Sequence, residues 1–458
     1  MKYFSILIIA LVSLSAFAGN NQATDSVKIK MIFDRALSEH YGINNLKYLT
    51  KSIGPRVAGS KNSLLAIKWS KKTLETLGLD TVYVQKCMVA NWERKKDEIS
   101  TIKSRKLGSK KIDVISLGGS ISTPENGIDS QIIAVDSISD LQKLGTEKIA
   151  GKVVFFRRPM DHTYFRPGKA YGSNSELRVR GASAAAKYGA VAVIVRSLTM
   201  IQNDLPHTGI MRYDTTQPRI PAFAVSTNSA DTLDKWLLDD PKLSVFLKST
   251  TIIGEDVESA NVIGEIKGSL YPDSIIIVGG HLDSWDVGEG AHDDGAGIIH
   301  SMESLRILLE SGIKPKHTIR CVFFMDEEMN QRGGRKYAEL AKIKNEKHLA
   351  AIESDGGGFN PSGFGMDASD EKLARFQSWV TLFKPYGVRE FTKGGGGVDI
   401  SFLKSLNVPL IGLSNDSQIY FDFHHSANDV LENVHERELQ LGSAYIAALI
   451  YLLDKYGL

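Results

Sequence analysis

Imidazole and carboxylate side chains gather in five short stretches of this 458-residue sequence. They are His281-Leu282-Asp283, His292-Asp293-Asp294, Asp326-Glu327-Glu328, Asp355, and His424-His425 with Asp429 close behind. His281, Asp293, Glu328, Asp355 and His425 offer the nitrogen and oxygen donors that zinc takes. Asp326, Glu327 and Glu328 stand in a row after an apolar run, where their charges repel unless a cation holds them. The set suits one or two zinc ions and a general base, which is the equipment of metal-assisted hydrolysis. No cysteine belongs to it, which points to a metal that keeps room for water rather than a closed structural site.

The elements that must position these residues alternate between strand-like and helix-like runs. Ser274-Ile275-Ile276-Ile277-Val278 is a continuous apolar stretch closed by Gly279-Gly280, the pattern of a strand buried on both faces of a parallel or mixed α/β sheet. His281 and Asp283 emerge at its C-terminal end, where open α/β sheets bind ligands. From Asp294 the apolar period becomes helical, with Ile298, Ile299, Met302, Leu305, Leu308 and Leu309 on one face. Asp293 falls at the start of that helix, where the macrodipole favours a carboxylate, and Asp294 reads as a helix N-cap or loop-orienting residue. Residues 318–325 predict a strand that ends in Asp326-Glu327-Glu328, and 348–354 predict one that delivers Asp355 into a Gly356-Gly357-Gly358 turn. Residues 409–414 predict a further strand before the loop that carries His424 and His425.

A lone histidine at a strand end is more often hydrogen-bonded than metal-bound, so the joint pattern carries this reading. His424 and His425 exchange places with a shift of one residue. His292 reads as lining a pocket, and Asp326 as bonding backbone. Asp399, after four glycines, either shapes the substrate pocket or follows a lid hinge. His40, His162, His207, His300, His317, His348 and His435 read as structural.

The order His-x-Asp, Gly-Ala-x-Asp-Asp-Gly-Ala-Gly, Glu-Glu-x-x-x-x-Gly, Ser-Asp-Gly and His-Ser-x-x-Asp resembles the co-catalytic zinc exopeptidases, a family of zinc aminopeptidases and glutamate carboxypeptidases. Ile53-Gly54-Pro55-Arg56-Val57-Ala58-Gly59-Ser60, Leu77-Gly78-Leu79-Asp80, Gly394-Gly395-Gly396-Gly397-Val398-Asp399-Ile400 and Phe423-His424-His425-Ser426 extend the likeness, most strongly toward its carboxypeptidase Q group. The resemblance implies two zinc ions bridged by Asp293, with His281 and Asp355 completing one site and Glu328 and His425 the other. It favours His425 over His424, because a hydroxyl residue follows and an aspartate stands four positions on. It makes Glu327 the general base, and has Asp283 and Asp429 accept the second ring proton of His281 and His425. The implied fold is an α/β/α sandwich with a mixed central sheet and an inserted, β-rich protease-associated-type domain. The implied activity is hydrolysis of dipeptides or short peptides from the carboxyl end. Aminopeptidase action with the same metal site is the alternative, and a binding protein that has lost catalysis is opposed by the full ligand set and Glu327. A homodimer is implied as well.

At about 150 residues per domain the length predicts two or three domains. Residues 27–111 and 256–458 read as two parts of a catalytic domain, and 112–255 as the insertion, with strand signals at 131–135, 152–156, 191–195 and 220–225 and a helix from Arg180 to Tyr188 that stops at Gly189. The charged stretch from Glu93 to Lys111 reads as a solvated linker or edge hairpin. Residues 1–18 have the charged, apolar and small-residue parts of a secretory signal peptide cleaved after Ala18, so the mature chain is expected to be exported, secreted or periplasmic, without a stable membrane anchor. Its apolar run is too short to span a bilayer. A net charge of +2 implies no nucleic-acid or anionic-membrane partner. Two cysteines, Cys87 and Cys321, make no disulfide framework.

Overall fold

Alternation within one strand sets up the layers. In the strand Tyr271–His281, Ile276 and Val278 pack into one hydrophobic core while Ile275 and Ile277 pack into another, so both faces of the sheet are covered. The computed structural model, which describes residues 23–95 and 97–458, places this strand inside an eight-stranded mixed sheet. The order across the sheet is Thr81–Val89, Val257–Ile266, His317–Phe324, Tyr271–His281, Lys347–Glu353, Leu410–Asn415, Pro361–Asp367 and Glu390–Lys393. Tyr271–His281, His317–Phe324, Lys347–Glu353 and Leu410–Asn415 run parallel, so their C-terminal ends share one edge of the sheet. That edge is where the candidate ligands were expected.

The helix Ala296–Glu310 is buried from Ala296 through Leu308, as expected of a helix covered by others as well as by the sheet. It packs against Glu436–Tyr456, where Gly442 comes so close to the His300 ring that a side chain there would collide with it. His300 is structural as expected, with its Nδ1 2.9 Å from Ser354 Oγ. The opposite face is covered by Arg332–Ile343 and Ile400–Leu406. Cys87 and Cys321 are buried and free.

Between Thr81–Val89 and Val257–Ile266 the chain builds a second eight-stranded sheet, ordered Gly108–Lys111, Ile99–Ser104, Ser244–Lys248, Ile128–Val135, Val153–Phe156, Ala192–Arg196, Ala222–Val225 and Val114–Ser116. Its four central strands from Ile128–Val135 to Ala222–Val225 are parallel and are flanked by Ile138–Ile149, Pro167–Ala186 and Thr227–Asp239, so this unit is α/β as well as strand-rich. Phe156 and Phe155 enter cores on its two faces. The polar pair Ile99–Ser104 and Gly108–Lys111 is an antiparallel edge hairpin of this sheet, although it precedes residue 112. The helix expected from Arg180 instead begins at Pro167, because Gly168, Gly172 and neighbouring polar residues hide its first turns. Among the described residues no helix is long and apolar enough to cross a membrane. The signal-peptide reading of 1–18 lies outside the described residues.

Candidate metal centre

Four loops at the C-terminal edge of the first sheet bring the chemistry together. Gly280 lets the Asp294 carboxylate close against the strand end, where a side chain would strike it. Asp294 accepts the N–H of His281 (3.0 Å) and of Gly297 (2.9 Å), so it ties the first turn of the following helix to the strand. Asp283 works differently from the expectation. Its backbone carbonyl is the nearer partner of His281 Nδ1 at 3.0 Å, with Asp283 Oδ1 farther off at 3.8 Å, while the carboxylate accepts the N–H groups of Asp326, Glu327 and Glu328 at 2.8, 3.2 and 3.3 Å. Asp429 departs in the same way: it accepts the N–H of His292 (2.6 Å) and Asp293 (3.1 Å), and His425 Nδ1 faces the carbonyl of Thr208 at 3.2 Å. In both cases the aspartate holds a loop backbone in place, which leaves the ring to a peptide carbonyl. The buried Asp326 carboxylate lies 3.9 Å from Arg332 Nε, and the Arg332 backbone N–H also favours its charged form.

The expected ligands converge. His281 Nε2 lies 3.1 Å from Asp293 Oδ1, 3.6 Å from Asp355 Oδ1 and 4.0 Å from Glu327 Oε2. His425 Nε2 lies 3.3 Å from Asp293 Oδ2 and 3.1 Å from Glu328 Oε2. Asp293 therefore presents one oxygen to each imidazole. His424 Nε2 is 3.6 Å from Asp293 Oδ2, its ring stacks on His425 with centroids 3.5 Å apart, and only His425 of the two pairs with Glu328. Two donor groups compact enough for a metal stand side by side: His281, Asp293 and Asp355, and Asp293, His424 and His425.

Electrostatics makes this cluster costly without a cation. Burial, followed by like charge from neighbouring carboxylates, pushes Glu327 and Asp355 above the usual carboxylate range even against the pull of His281, and it raises Glu328 beside Asp293. Burial and Asp293 carry Asp429 up to about 7, and burial with Asp283 carries Asp326 up to about 8. Burial and the adjacent His424 drive His425 well down, so its ring is neutral and able to donate a lone pair. Burial alone would lower His281, but the carboxylates of Asp293 and Asp355 outweigh it.

Residues 261–450 match the model of peptidase family M28. The chain is 32% identical over 422 residues to carboxypeptidase Q of Bos taurus, covering 92% of this chain and 86% of that protein, and equally so to carboxypeptidase Q of Homo sapiens. This chain belongs to peptidase family M28. Its structure superposes on an M28 peptidase precursor from Shewanella amazonensis SB2B with a TM-score of 0.90 at 33% identity, over 94% of this chain and 97% of the other. An aminopeptidase from Aneurinibacillus sp. strain AM-1 shares the fold with a TM-score of 0.63 at 21% identity, over 93% and 95% of the two chains. The protein is thus a zinc metallopeptidase, an M28 exopeptidase related to carboxypeptidase Q. Its residues fit that metal: the donors are imidazole nitrogens and carboxylate oxygens without thiolate, and the buried Glu328 Oε1 has no hydrogen-bond partner among the described residues.

Other residues around the M28 site include several to which sequence reasoning gave no role. Arg178 and Tyr171, from the helix Pro167–Ala186 of the second sheet, reach the centre, with Arg178 Nη2 donating to Tyr171 Oη at 2.7 Å. Tyr171 stacks on Phe421 and stands edge-on to His424. A helical arginine reads as surface, yet Arg178 is 6% exposed and its Nε has no hydrogen-bond partner among the described residues. Arg56, in one of the stretches that carried the resemblance, is fully buried and donates to the carbonyls of Leu282, Glu289 and Gly290 at 2.6, 2.8 and 2.9 Å. It thereby ties together the loops that carry His281 and Asp293. His292 is buried, its ring stacked on Phe359 with centroids 4.3 Å apart and on Phe423 at 5.2 Å, and burial lowers it to about 4.

Proposed function

We propose that this protein is an exported di-zinc carboxypeptidase or dipeptidase that releases residues from the carboxyl end of short peptides. The observation that carries the carboxyl-end reading is Arg178. A side chain at Gly209 would meet the Arg178 guanidinium at 2.6 Å and His425 Nδ1 at 2.7 Å, so cation and imidazole flank one backbone atom. A buried guanidinium with an unused donor beside the metal centre is suited to receive a substrate carboxylate, and an amine would be repelled there. Homodimerisation, export through residues 1–18 and an insertion folding as its own unit over about 112–255 belong to the same proposal.

In this reading His281, Asp293 and Asp355 would hold one zinc ion, and Asp293, Glu328 and His425 would hold the other. Zinc, when bound, lowers the pKa of a water and polarises the scissile carbonyl. Glu327 is the base: it stands at the same cluster with Oε2 4.0 Å from His281 Nε2, takes a proton from the attacking water and hands it to the leaving amine nitrogen as the C–N bond breaks. Asp283 holds the backbone of Glu327 and Glu328 so that one carboxylate faces metal and the other substrate.

Turnover of one dipeptide in free, N-acylated and C-amidated forms tests the reading. Cleavage of the free and N-acylated forms with loss of the amidated one is the expected result. Cleavage that survives amidation but not acylation would make the enzyme an aminopeptidase, and failure on all three would favour a catalytically silent binder.

A further inference from the structure

The role of the second sheet in metal binding follows from what holds His425. Its backbone lies in the left-handed region (φ +62°), so local propensity does not fix the loop and another element must. That element is the strap His207-Thr208-Gly209. The Thr208 N–H donates to the His425 carbonyl at 2.9 Å, and the Thr208 carbonyl faces His425 Nδ1 at 3.2 Å. His207 Nδ1 lies 2.8 Å from the His424 carbonyl. A carbonyl can only accept, so the proton of each ring sits on Nδ1, and His425 Nε2 is left bare toward Asp293 and Glu328.

The strap is itself anchored inside the second unit. Gly118 N–H donates to the Gly209 carbonyl and Met211 N–H to the Gly118 carbonyl, both at 2.9 Å. Thr208 Oγ1 donates to the Ser116 carbonyl at 3.2 Å and accepts from Arg94 Nη2 at 2.8 Å. Gly118 leaves room for the Trp285 indole, which stands edge-on to the His425 ring with centroids 5.7 Å apart.

We infer that the inserted unit is part of the metal site, with the strap His207-Thr208-Gly209 serving as the positioning element that fixes the tautomer and orientation of His425. This rests on the reading of His425 as a metal ligand. Residues that orient a ligand in this way typically govern metal affinity by 10- to 100-fold.

The test is zinc affinity, measured on the full-length protein by competition with a chromophoric chelator, alongside melting of the metal-free form. Gly209→Ala, which pushes a methyl between Arg178 and His425, and His207→Leu, which cuts the bond to the His424 carbonyl, are each expected to weaken the second zinc by at least about tenfold. His207→Asn, which keeps a donor near the Nδ1 position, is expected to bind zinc like the wild type. Thr208→Val probes the anchors without altering the strap's carbonyl and is expected to weaken zinc less than Gly209→Ala does. Metal-free melting within a few degrees of wild type separates this effect from unfolding. Wild-type zinc affinity in both folded Gly209→Ala and folded His207→Leu would overturn the inference. Unchanged zinc content in His425→Ala would instead sink the ligand assignment on which it rests.

Discussion

Replacing Arg178 by methionine removes the cation beside the metal centre while keeping most of the side-chain volume. Two losses are expected, and they are separable. The first is structural: the donor to Tyr171 Oη at 2.7 Å and the longer one to the Thr208 carbonyl at 3.4 Å disappear. A bond from a charged donor contributes about 1.5–3 kcal/mol net, so a fall in melting temperature is expected with zinc content unchanged. The second is functional. Truncating one partner of a buried, hydrogen-bonded charge pair costs about 2–5 kcal/mol, so kcat/KM for a dipeptide with a free carboxylate should fall by roughly 30-fold to 4000-fold. A C-amidated dipeptide has no charge to lose and should be cleaved with about its original, low efficiency. Lysine at 178 keeps the charge but not the planar fork and should recover part of the lost rate. The assay is steady-state kinetics on the free and amidated pair, with zinc content measured on each preparation. If methionine lowers both substrates equally, Arg178 acts through the fold or the histidine loop and the carboxylate-receptor reasoning is refuted.

Glu328→Gln should lose affinity for one of two zinc ions and lose activity with it, which metal analysis after dialysis against limiting chelator would detect; full retention of both ions would remove Glu328 from the ligand set. His348 is held near 4 by burial, aided by Arg320, so between pH 6.5 and 4 the unfolded chain binds a proton that the folded chain refuses, and stability falls as pH falls. From pH 7 to pH 5 the wild type should therefore lose about 2 kcal/mol more unfolding free energy than His348→Gln, measured in urea, and equal losses would contradict the assignment. Saturating chelator should abolish activity and zinc should restore it; activity that persists with the metal removed would rule out the metal role.

Much of the catalytic unit was legible because its signals are local. The apolar runs at 274–278, 318–325, 348–354 and 409–414 are the four parallel strands, and each is followed by the residues that meet at the centre. Spacing alone did not reveal which atom of Asp283 or Asp429 makes the bond. A carboxylate two residues from a histidine, or four, is close by either route, and here it was the peptide amides that claimed it. The hairpin Ile99–Ser104 and Gly108–Lys111 carries a polar edge whose composition matches a linker. Least legible were His207 and Thr208, because their partners at His424 and His425 lie more than 200 positions away and the pairing exists only once both sheets have formed.

The central claim is that two adjacent carboxylates divide the work, Glu328 holding metal and Glu327 moving the proton. Glu327→Gln tests it most directly, with zinc stoichiometry and turnover measured on the same sample. Two zinc ions per chain, near wild-type melting and turnover reduced by about 10² or more are the predicted result. Near wild-type turnover, or loss of a zinc ion from Glu327→Gln while Glu328→Gln keeps both, would contradict it.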